Sequence, residues 1–224
     1  VCSSDLSKIN FTEIFLATGD IFPKWECCPT SDVLARCYTI NDAFFCLPHL
    51  SICQFGGERR FVSPWLCWGC NFVVKRQFLY ESGGFHPDAF PAEKIKFRGD
   101  GESAIARYAE ENGVECLYDP GLAVLHNVPS SRLAKSYMEK RDLLEGVSDS
   151  YLLVRNNTEA DFQNLESSLL GALDFHELFN DRERLAVCLA GNDFRRLGAL
   201  WHLNKVLNDS ALMEWCKISY YFEE

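Results

Sequence analysis

The chain has 224 residues, of which 47% are hydrophobic and 13% aromatic, and this composition excludes an intrinsically disordered protein. Its formal net charge of -10 at pH 7 would repel phosphate backbones, so nucleic acid is not expected as a partner. The longest apolar runs, such as residues 43–47 and 169–173, are far shorter than the roughly 20 residues that a membrane helix needs, so no transmembrane segment is predicted.

The first half of the chain predicts a mixture of strands and helices. Residues 9–16 have the pattern of a short strand, and Thr30 or Ser31 can cap a helix that runs to about Phe45. Further on, the pattern favours extended segments at residues 61–64 and 68–74. A short helix is predicted at residues 76–82, and it stops at Gly83-Gly84.

The second half predicts an α/β sheet followed by helices. The segment Gly99-Asp100-Gly101-Glu102 opens a helix with an apolar stripe, which ends at Asn112-Gly113. Residues 114–118 and 123–126 are predicted strands on either side of a turn, and Ser130 or Ser131 caps a long helix to about Arg155. The order of elements indicates an α/β fold with a helical tail, in which Leu165, Leu169, Leu170 and Leu173 have helical spacing.

Cysteine is the unusual feature of the composition, with 11 residues of which seven lie between Cys27 and Cys70. An odd number cannot pair completely, and the density is below that of small disulfide-stabilised domains. We therefore expect reduced thiols in a cytoplasmic protein, with a peripheral position at the inner membrane as a further option. The chain starts at Val1 with neither an initiator Met nor a signal-peptide pattern, and we expect the gene to begin further upstream.

Asp100 and Glu102 form an acidic pair at the start of a predicted helix. Unpaired amides and the helix dipole favour negative charge there, so one interpretation is a helix cap. The neighbouring glycines would also let a ligand approach the backbone closely, and a carboxylate can accept a proton from a sugar hydroxyl. The second interpretation is therefore a general base.

His126 and two arginines are further candidates. His126 ends a predicted strand, where it could be structural or could complete a divalent-metal site if carboxylates converge on it. Arg141 lies on a mostly apolar helix face, and its partner is either a nearby acid, Asp142 or Glu145, or a diphosphate, which guanidinium groups bind bidentately. Arg132, at the start of the same predicted helix, is a second candidate for the diphosphate.

The unit Cys67-Trp68-Gly69-Cys70 offers a different chemistry, since a C-x-x-C pair can be redox-active or can hold half of a zinc site. Cys46, His49 and Cys53 could contribute further zinc ligands. The residues after Cys70 are extended in pattern, which does not suit a redox dithiol, and the spacing lacks regular zinc knuckles. Buried, inert thiols are the third interpretation.

Several separated motifs occur in the order found in one family. They are Trp68-Gly69-Cys70-Asn71-Phe72-Val73-Val74-Lys75-Arg76, Gly83-Gly84-Phe85, Gly99-Asp100-Gly101-Glu102, Asn112-Gly113, Tyr118-Asp119-Pro120, Val124-Leu125-His126, and Arg132 with Tyr137 and Arg141. This series resembles the second half of family 2 glycosyltransferases over roughly residues 65 to 155.

The resemblance implies a GT-A fold, an α/β sandwich whose first half binds the nucleotide and whose Asp-x-Asp motif holds Mg²⁺ or Mn²⁺. It implies that residues 1–64 follow a nucleotide-binding half lying upstream of residue 1, that residues 65–155 form the acceptor-side half, and that residues 156–224 form a helical extension. By resemblance, Glu102 is the base with Asp100 as the alternative, and His126 reaches the metal. The other implied roles are diphosphate binding by Arg141 and Arg132, and acceptor binding by Trp68, Gly69 and Asn71.

The activity that the resemblance implies is transfer of a sugar from a nucleoside-diphosphate sugar to a hydroxyl acceptor, with inversion. The acceptor would be a carbohydrate or a lipid-linked molecule, and the 224 residues alone would be inactive. Two rival hypotheses remain, a non-catalytic binding module on the same half-fold and a C-x-x-C redox or zinc protein.

Overall fold

The computed structural model describes residues 14–40, 43–86, 101–156 and 193–218. The chain divides into two compact units, of which unit 1 comprises residues 1–85 and 102–138 and unit 2 comprises residues 86–101 and 139–224. The domain boundaries predicted near residues 64 and 155 rest on the resemblance and stay predictions.

The described residues of unit 1 form two mixed β-sheets. The strands of the first are β1 (Leu16–Thr18), β6 (Arg60–Val62), β7 (Val73–Val74) and β8 (Cys116–Tyr118), in the order β6-β8-β1-β7. The strands of the second are β2 (Ile21–Trp25), β3 (Tyr38–Ile40), β4 (Ala43–Leu47), β5 (Ile52–Gln54) and β9 (Val124–Val128), in the order β3-β4-β5-β2-β9. The pairs β1–β8 and β2–β9 are parallel, and the other pairs are antiparallel.

The α-helices of the described residues are α1 (Ser31–Leu34), α2 (Arg76–Glu81), α3 (Glu102–Glu111), α4 (Lys135–Asn156), α5 (Phe194–Leu207) and α6 (Ser210–Cys216). Together with the sheets they confirm the predicted α/β class. In the part of the chain that the structure describes, no helix has the length and apolar character needed to cross a membrane.

The two sheets meet where β1 continues into β2 through Gly19 and Asp20. A Cβ at Gly19 would lie 2.6 Å from the carbonyl carbon of Leu122, so only glycine allows this close approach. Asp20 is buried, and its Oδ1 accepts hydrogen bonds from the amides of Phe55 and Gly56 while its Oδ2 accepts one from the hydroxyl of Tyr118. This carboxylate therefore ties both sheets together.

The main core of unit 1 lies between these sheets and two of the helices. Phe78 of α2 and Ile105 and Ala109 of α3 pack with Leu16 and Tyr118 in one cluster of buried side chains. The stripe predicted on α3 is thus the face that contacts the core, and the helix ends at Asn112-Gly113 as expected, with Gly113 at a φ of 65°.

The prediction of a helix from Thr30 to Phe45 is wrong beyond Leu34. The chain instead forms β3 and β4, which pair antiparallel, and β4 runs between β3 and β5 with Cys46 buried opposite Cys53. Aromatic and β-branched residues in β3 favour this outcome, because they pack well on a pleated surface. The segment predicted to be extended at residues 68–74 contains a 3₁₀ turn at Gly69–Asn71, and only Val73–Val74 forms a strand.

Other predicted elements are confirmed with shifted ends. The helix at 76–82 is α2, the strands at 114–118 and 123–126 are β8 and β9, and the helix to Arg155 is α4, which a 3₁₀ turn at Ser130–Leu133 precedes. Of the strand predicted at residues 9–16, the described residues 14 and 15 are not in a strand, and β1 begins at Leu16. Residues 9–13 and the leucines between 165 and 173 lie outside the described residues.

Unit 2 is helical in its described part, and α4 and α5 cross at very close range. A Cβ at Gly146 would overlap the carbonyl oxygen of Arg195, and a Cβ at Gly198 would overlap that of Leu143. Beside the crossing, the fully buried ring of His202 has its Nδ1 2.9 Å from the hydroxyl of Ser150. Tyr151, Leu203 and Cys216 belong to the same buried cluster of unit 2.

Candidate functional site

A loop between β6 and β7 lies over the ends of the parallel strands β1 and β8. The hydroxyl of Thr18 donates to the carbonyl of Asn71 (2.8 Å), and the amide Nδ2 of Asn71 donates to the carbonyl of Leu122 (2.9 Å). One turn earlier, the thiol of Cys67 donates to the carbonyl of Ala17. These bonds fix the loop at the carboxyl ends of parallel strands, where α/β proteins commonly bind ligands.

Glu102 is the first residue of α3, and its carboxylate touches this loop. Its Oε1 accepts a hydrogen bond from the backbone N–H of Gly69, at 3.2 Å. A Cβ at Gly69 would lie 3.3 Å from the same oxygen, so glycine leaves room for the carboxylate beside the backbone. The positive end of the helix dipole also favours a negative charge at this position.

His126, on β9, has a neighbour at each ring nitrogen. Its Nδ1 lies 3.5 Å from Sγ of Cys70, and its Nε2 lies 3.3 Å from a guanidinium nitrogen of Arg132. Because arginine can only donate, Nε2 is the acceptor and Nδ1 carries the hydrogen of the neutral ring. Burial, and next the charge of Arg132, lower the pKa of His126, which favours the neutral imidazole at neutral pH.

We refer to Gly69, Cys70, Glu102, His126 and Arg132 as the candidate site. Glu102 contacts Gly69, the adjacent Cys70 contacts His126, and His126 contacts Arg132, so the contacts are continuous. The site thus combines a carboxylate, a neutral imidazole and a guanidinium within unit 1. Such a set can accept a proton from a hydroxyl and can stabilise an anion.

The remaining predicted residues have other surroundings. The indole N–H of Trp68 donates to the carbonyl of Trp65, and Asn71 is only 7% exposed, which suits a role in holding the loop. Arg141 lies on α4 and forms an ion pair with Glu145 at 2.6 Å, one of the partners expected from the sequence. Asp100 lies outside the described residues. Acceptor binding by Trp68 and Asn71, diphosphate binding by Arg141, and the alternative base Asp100 stay predictions.

A divalent-metal site does not form from the described residues by themselves. No group of three His, Cys, Asp or Glu side chains gathers within them, and the thiol and the guanidinium beside His126 are not ligands for Mg²⁺ or Mn²⁺. Ligation by His126 would need oxygen ligands from elsewhere and a displaced neighbour. The predicted requirement for Mg²⁺ or Mn²⁺ stays a prediction, and no step below is assigned to a metal.

The C-x-x-C unit has one buried and one exposed thiol. Cys67 is 1% exposed, and burial, with the neighbouring thiol of Cys116, raises its pKa. A redox dithiol needs a thiolate as the attacking group, so this environment argues against redox chemistry. In the second cysteine group, His49 contacts Arg36 and the thiols of Cys46 and Cys53 face each other at 3.9 Å inside the sheet, which fits buried structural residues.

Comparison with protein-family models, curated proteins and solved structures gave no match for this chain. The candidate site therefore rests on its own geometry and on the motif series.

Sequence reasoning did not anticipate the contact of Cys70 with His126 or the structural role of Asp20. The C-x-x-C unit and the motif series both contain Cys70 but give it no partner, and the contact depends on how the loop crosses the strand ends. For Asp20 a signal exists, since a lone acid follows a glycine directly between two apolar segments. Only the fold identifies Tyr118, 98 residues away, as its partner.

Proposed function

We propose that unit 1 carries the acceptor side of an inverting glycosyltransferase, with Glu102 as the general base. The observation that supports this proposal most directly is the continuous contact from Glu102 through Gly69 and Cys70 to His126 and Arg132. The ordered motifs that resemble family 2 glycosyltransferases point to the same activity.

In the proposed reaction, an acceptor hydroxyl lies beside Glu102 and loses its proton to the carboxylate as its oxygen bonds to the anomeric carbon of the donor. The bond from that carbon to the nucleoside diphosphate breaks on the opposite face, which inverts the anomeric configuration. Arg132 supplies positive charge for the departing diphosphate, and the neutral ring of His126 holds its guanidinium in place. Gly69 positions the carboxylate through its N–H.

The test is the variant Glu102→Gln in the complete gene product. Glutamine keeps an oxygen for the bond from Gly69 but cannot accept the proton, so we expect kcat to fall by about 100-fold or more with unchanged donor binding. Release of nucleoside diphosphate from UDP-glucose, UDP-N-acetylglucosamine and GDP-mannose measures turnover, and thermal melting checks folding.

Glu111→Gln is the matched control, because Glu111 is an exposed acid at the other end of the same helix. We expect wild-type turnover from it. Turnover of Glu102→Gln close to that of the wild type would remove Glu102 from the mechanism. Lack of affinity for every nucleotide sugar in the wild-type protein would instead favour the non-catalytic binding module.

A further inference from the structure

Two tryptophans lie on the loop that carries Gly69. Trp65 is 37% exposed and Trp68 is partly buried against the main core of unit 1. A single exposed apolar side chain is common on protein surfaces and needs no special explanation. Here, however, the exposed indole lies in a segment whose conformation is fixed and which contacts the candidate site.

The segment is held from both sides of Trp65. Ser63 accepts a hydrogen bond from the amide of Trp65, and the flanking Pro64 and Leu66 are buried. The indole N–H of Trp68 donates to the carbonyl of Trp65 at 2.9 Å, which links the second ring to the backbone of the first. A ligand that binds to such a preorganised surface loses little affinity to loop ordering.

The backbone that carries both tryptophans lies close to the helix of the proposed base. The 3₁₀ turn Pro64–Leu66 packs against α3, the helix that begins at Glu102. Trp68 directly precedes Gly69, whose amide donates to the carboxylate. A molecule bound to this loop would therefore lie on the segment that contacts Glu102.

The chemistry of an indole selects the kind of molecule. Its π-face is electron-rich and favours flat, apolar surfaces with slightly positive hydrogens. The C–H groups on one face of a pyranose ring provide such a surface, while the hydroxyls at the ring edge remain free to reach polar groups. Small-ligand sites typically combine an aromatic surface with a small number of polar groups.

We infer that Trp65 and Trp68 form a stacking platform for the pyranose ring of a carbohydrate acceptor, with the reacting hydroxyl directed toward Glu102. This inference rests on the proposed function and narrows the acceptor from any hydroxyl compound to a sugar. Trp65 provides the exposed ring that selects a sugar as the acceptor. Trp68 stabilises the loop that carries Trp65.

Saturation-transfer NMR on the complete gene product tests the platform without requiring turnover. The probes are methyl β-D-glucopyranoside, methyl β-D-galactopyranoside and methyl α-D-mannopyranoside, with dodecyl phosphate representing a lipid acceptor. We expect transfer to the ring C–H protons of at least one pyranoside, and about a tenfold or greater loss of its affinity in Trp65→Ala. Trp65→Phe, which keeps an aromatic face, should retain an intermediate affinity.

Trp201→Ala is the matched control, since Trp201 is 38% exposed and belongs to unit 2. It should bind the sugar like the wild type. Equal binding by wild type and Trp65→Ala, or Trp65-dependent binding of dodecyl phosphate alone, would overturn the inference.

Kinetics separate the two proposals. If the wild type transfers sugar and Trp65→Ala raises the acceptor KM with little change in kcat, both hold. Transfer with an unchanged acceptor KM in Trp65→Ala would overturn the platform and leave the proposed function standing. Pyranoside binding through Trp65 without any transfer would contradict the proposed function, while the platform would remain as a sugar-binding surface.

Discussion

Asp20 illustrates how one buried side chain fixes the frame of unit 1. It is 5% exposed and accepts hydrogen bonds from two backbone amides and from the hydroxyl of Tyr118. Burial, and next the bond to Asp20, raise the pKa of Tyr118, while Arg60 lies 4.9 Å above its ring. A buried carboxylate is stable only when such donors surround it. We therefore regard Asp20 as structural, although it stands near the strand ends.

At Gly69 the proposed chemistry depends on the absence of a side chain. In Gly69→Ala the new Cβ would lie 3.3 Å from Oε1 of Glu102, and the carboxylate would have to move by a few tenths of an ångström. A displaced base lowers the rate, so we expect a fall in kcat of about tenfold to 100-fold with little change in melting temperature. Steady-state kinetics of the transfer reaction would measure it.

Gly121→Ala provides the comparison, because its Cβ would meet another carboxylate oxygen, that of Asp119, at 3.1 Å. This pair lies outside the candidate site. If both variants lost activity equally, a general effect of loop strain would replace the positioning of Glu102 as the explanation.

His202 makes the stability of the protein depend on pH. Burial lowers its pKa to about 4, below the ordinary value of 6.5 for an exposed histidine. Below pH 6.5 the unfolded chain gains a proton that the folded state does not, so stability falls as the pH drops toward 4. The loss amounts to about 3 kcal/mol at most.

Guanidinium unfolding at pH 7.0 and 4.5 would measure this loss, with His202→Gln as the reference. Glutamine can still bond to Ser150 but does not titrate in this range. The wild type should lose more free energy of unfolding than the variant over the interval. Parallel losses would mean that carboxylates, not His202, determine the acid sensitivity.

Among the helices, α4 and α5 depend on two glycines that allow their backbones to approach. Gly146 faces the carbonyl of Arg195, and Gly198 faces that of Leu143. The bidentate ion pair between Arg195 and Asp149 lies beside the crossing. Both glycines belong to unit 2, whose described helices share a single buried cluster.

In an ordinary helix, replacing glycine by alanine stabilises the protein by about 1 kcal/mol. For Gly146→Ala we expect the opposite sign, a loss of about 3 kcal/mol, because the new methyl group would overlap backbone atoms that cannot rotate away. Chemical unfolding followed by circular dichroism gives the free energy.

Lys140→Ala, an exposed position on the same helix, should stay within about 0.5 kcal/mol of the wild type. A stabilised Gly146→Ala variant would contradict the close crossing of α4 and α5.

For the molecule as a whole, the features predictable from the sequence were those with a local cause. The stripe Ile105, Tyr108 and Ala109 and the stop at Asn112-Gly113 defined α3, and the Asp119-Pro120-Gly121 turn separated β8 from β9. The sequence also indicates Glu102, Gly69, His126 and Arg132 as site residues, and Cys70 completes the continuous contact between them.

What could not be predicted depends on partners far along the chain. The segments that form β3 and β4 have apolar spacing that also suits a helix, and the pairing of β3 with β4 and of β4 with β5 makes them strands. Cys70 reaches His126 only because Asn71 is fastened to Leu122, more than 50 residues away. The sequence around Trp65 does not indicate that its side chain is exposed, because this exposure is a property of the folded loop.

The parallel pairing of β1 with β8 also determines when unit 1 can fold during synthesis. Leu16 pairs with Cys116, and Ile21 pairs with Val124, so each strand must wait for about a hundred further residues to be synthesised. Until then, the loop that ends at Asn71 has no carbonyl of Leu122 to bind. The candidate site can therefore assemble on a nascent chain only after β9 has left the ribosome.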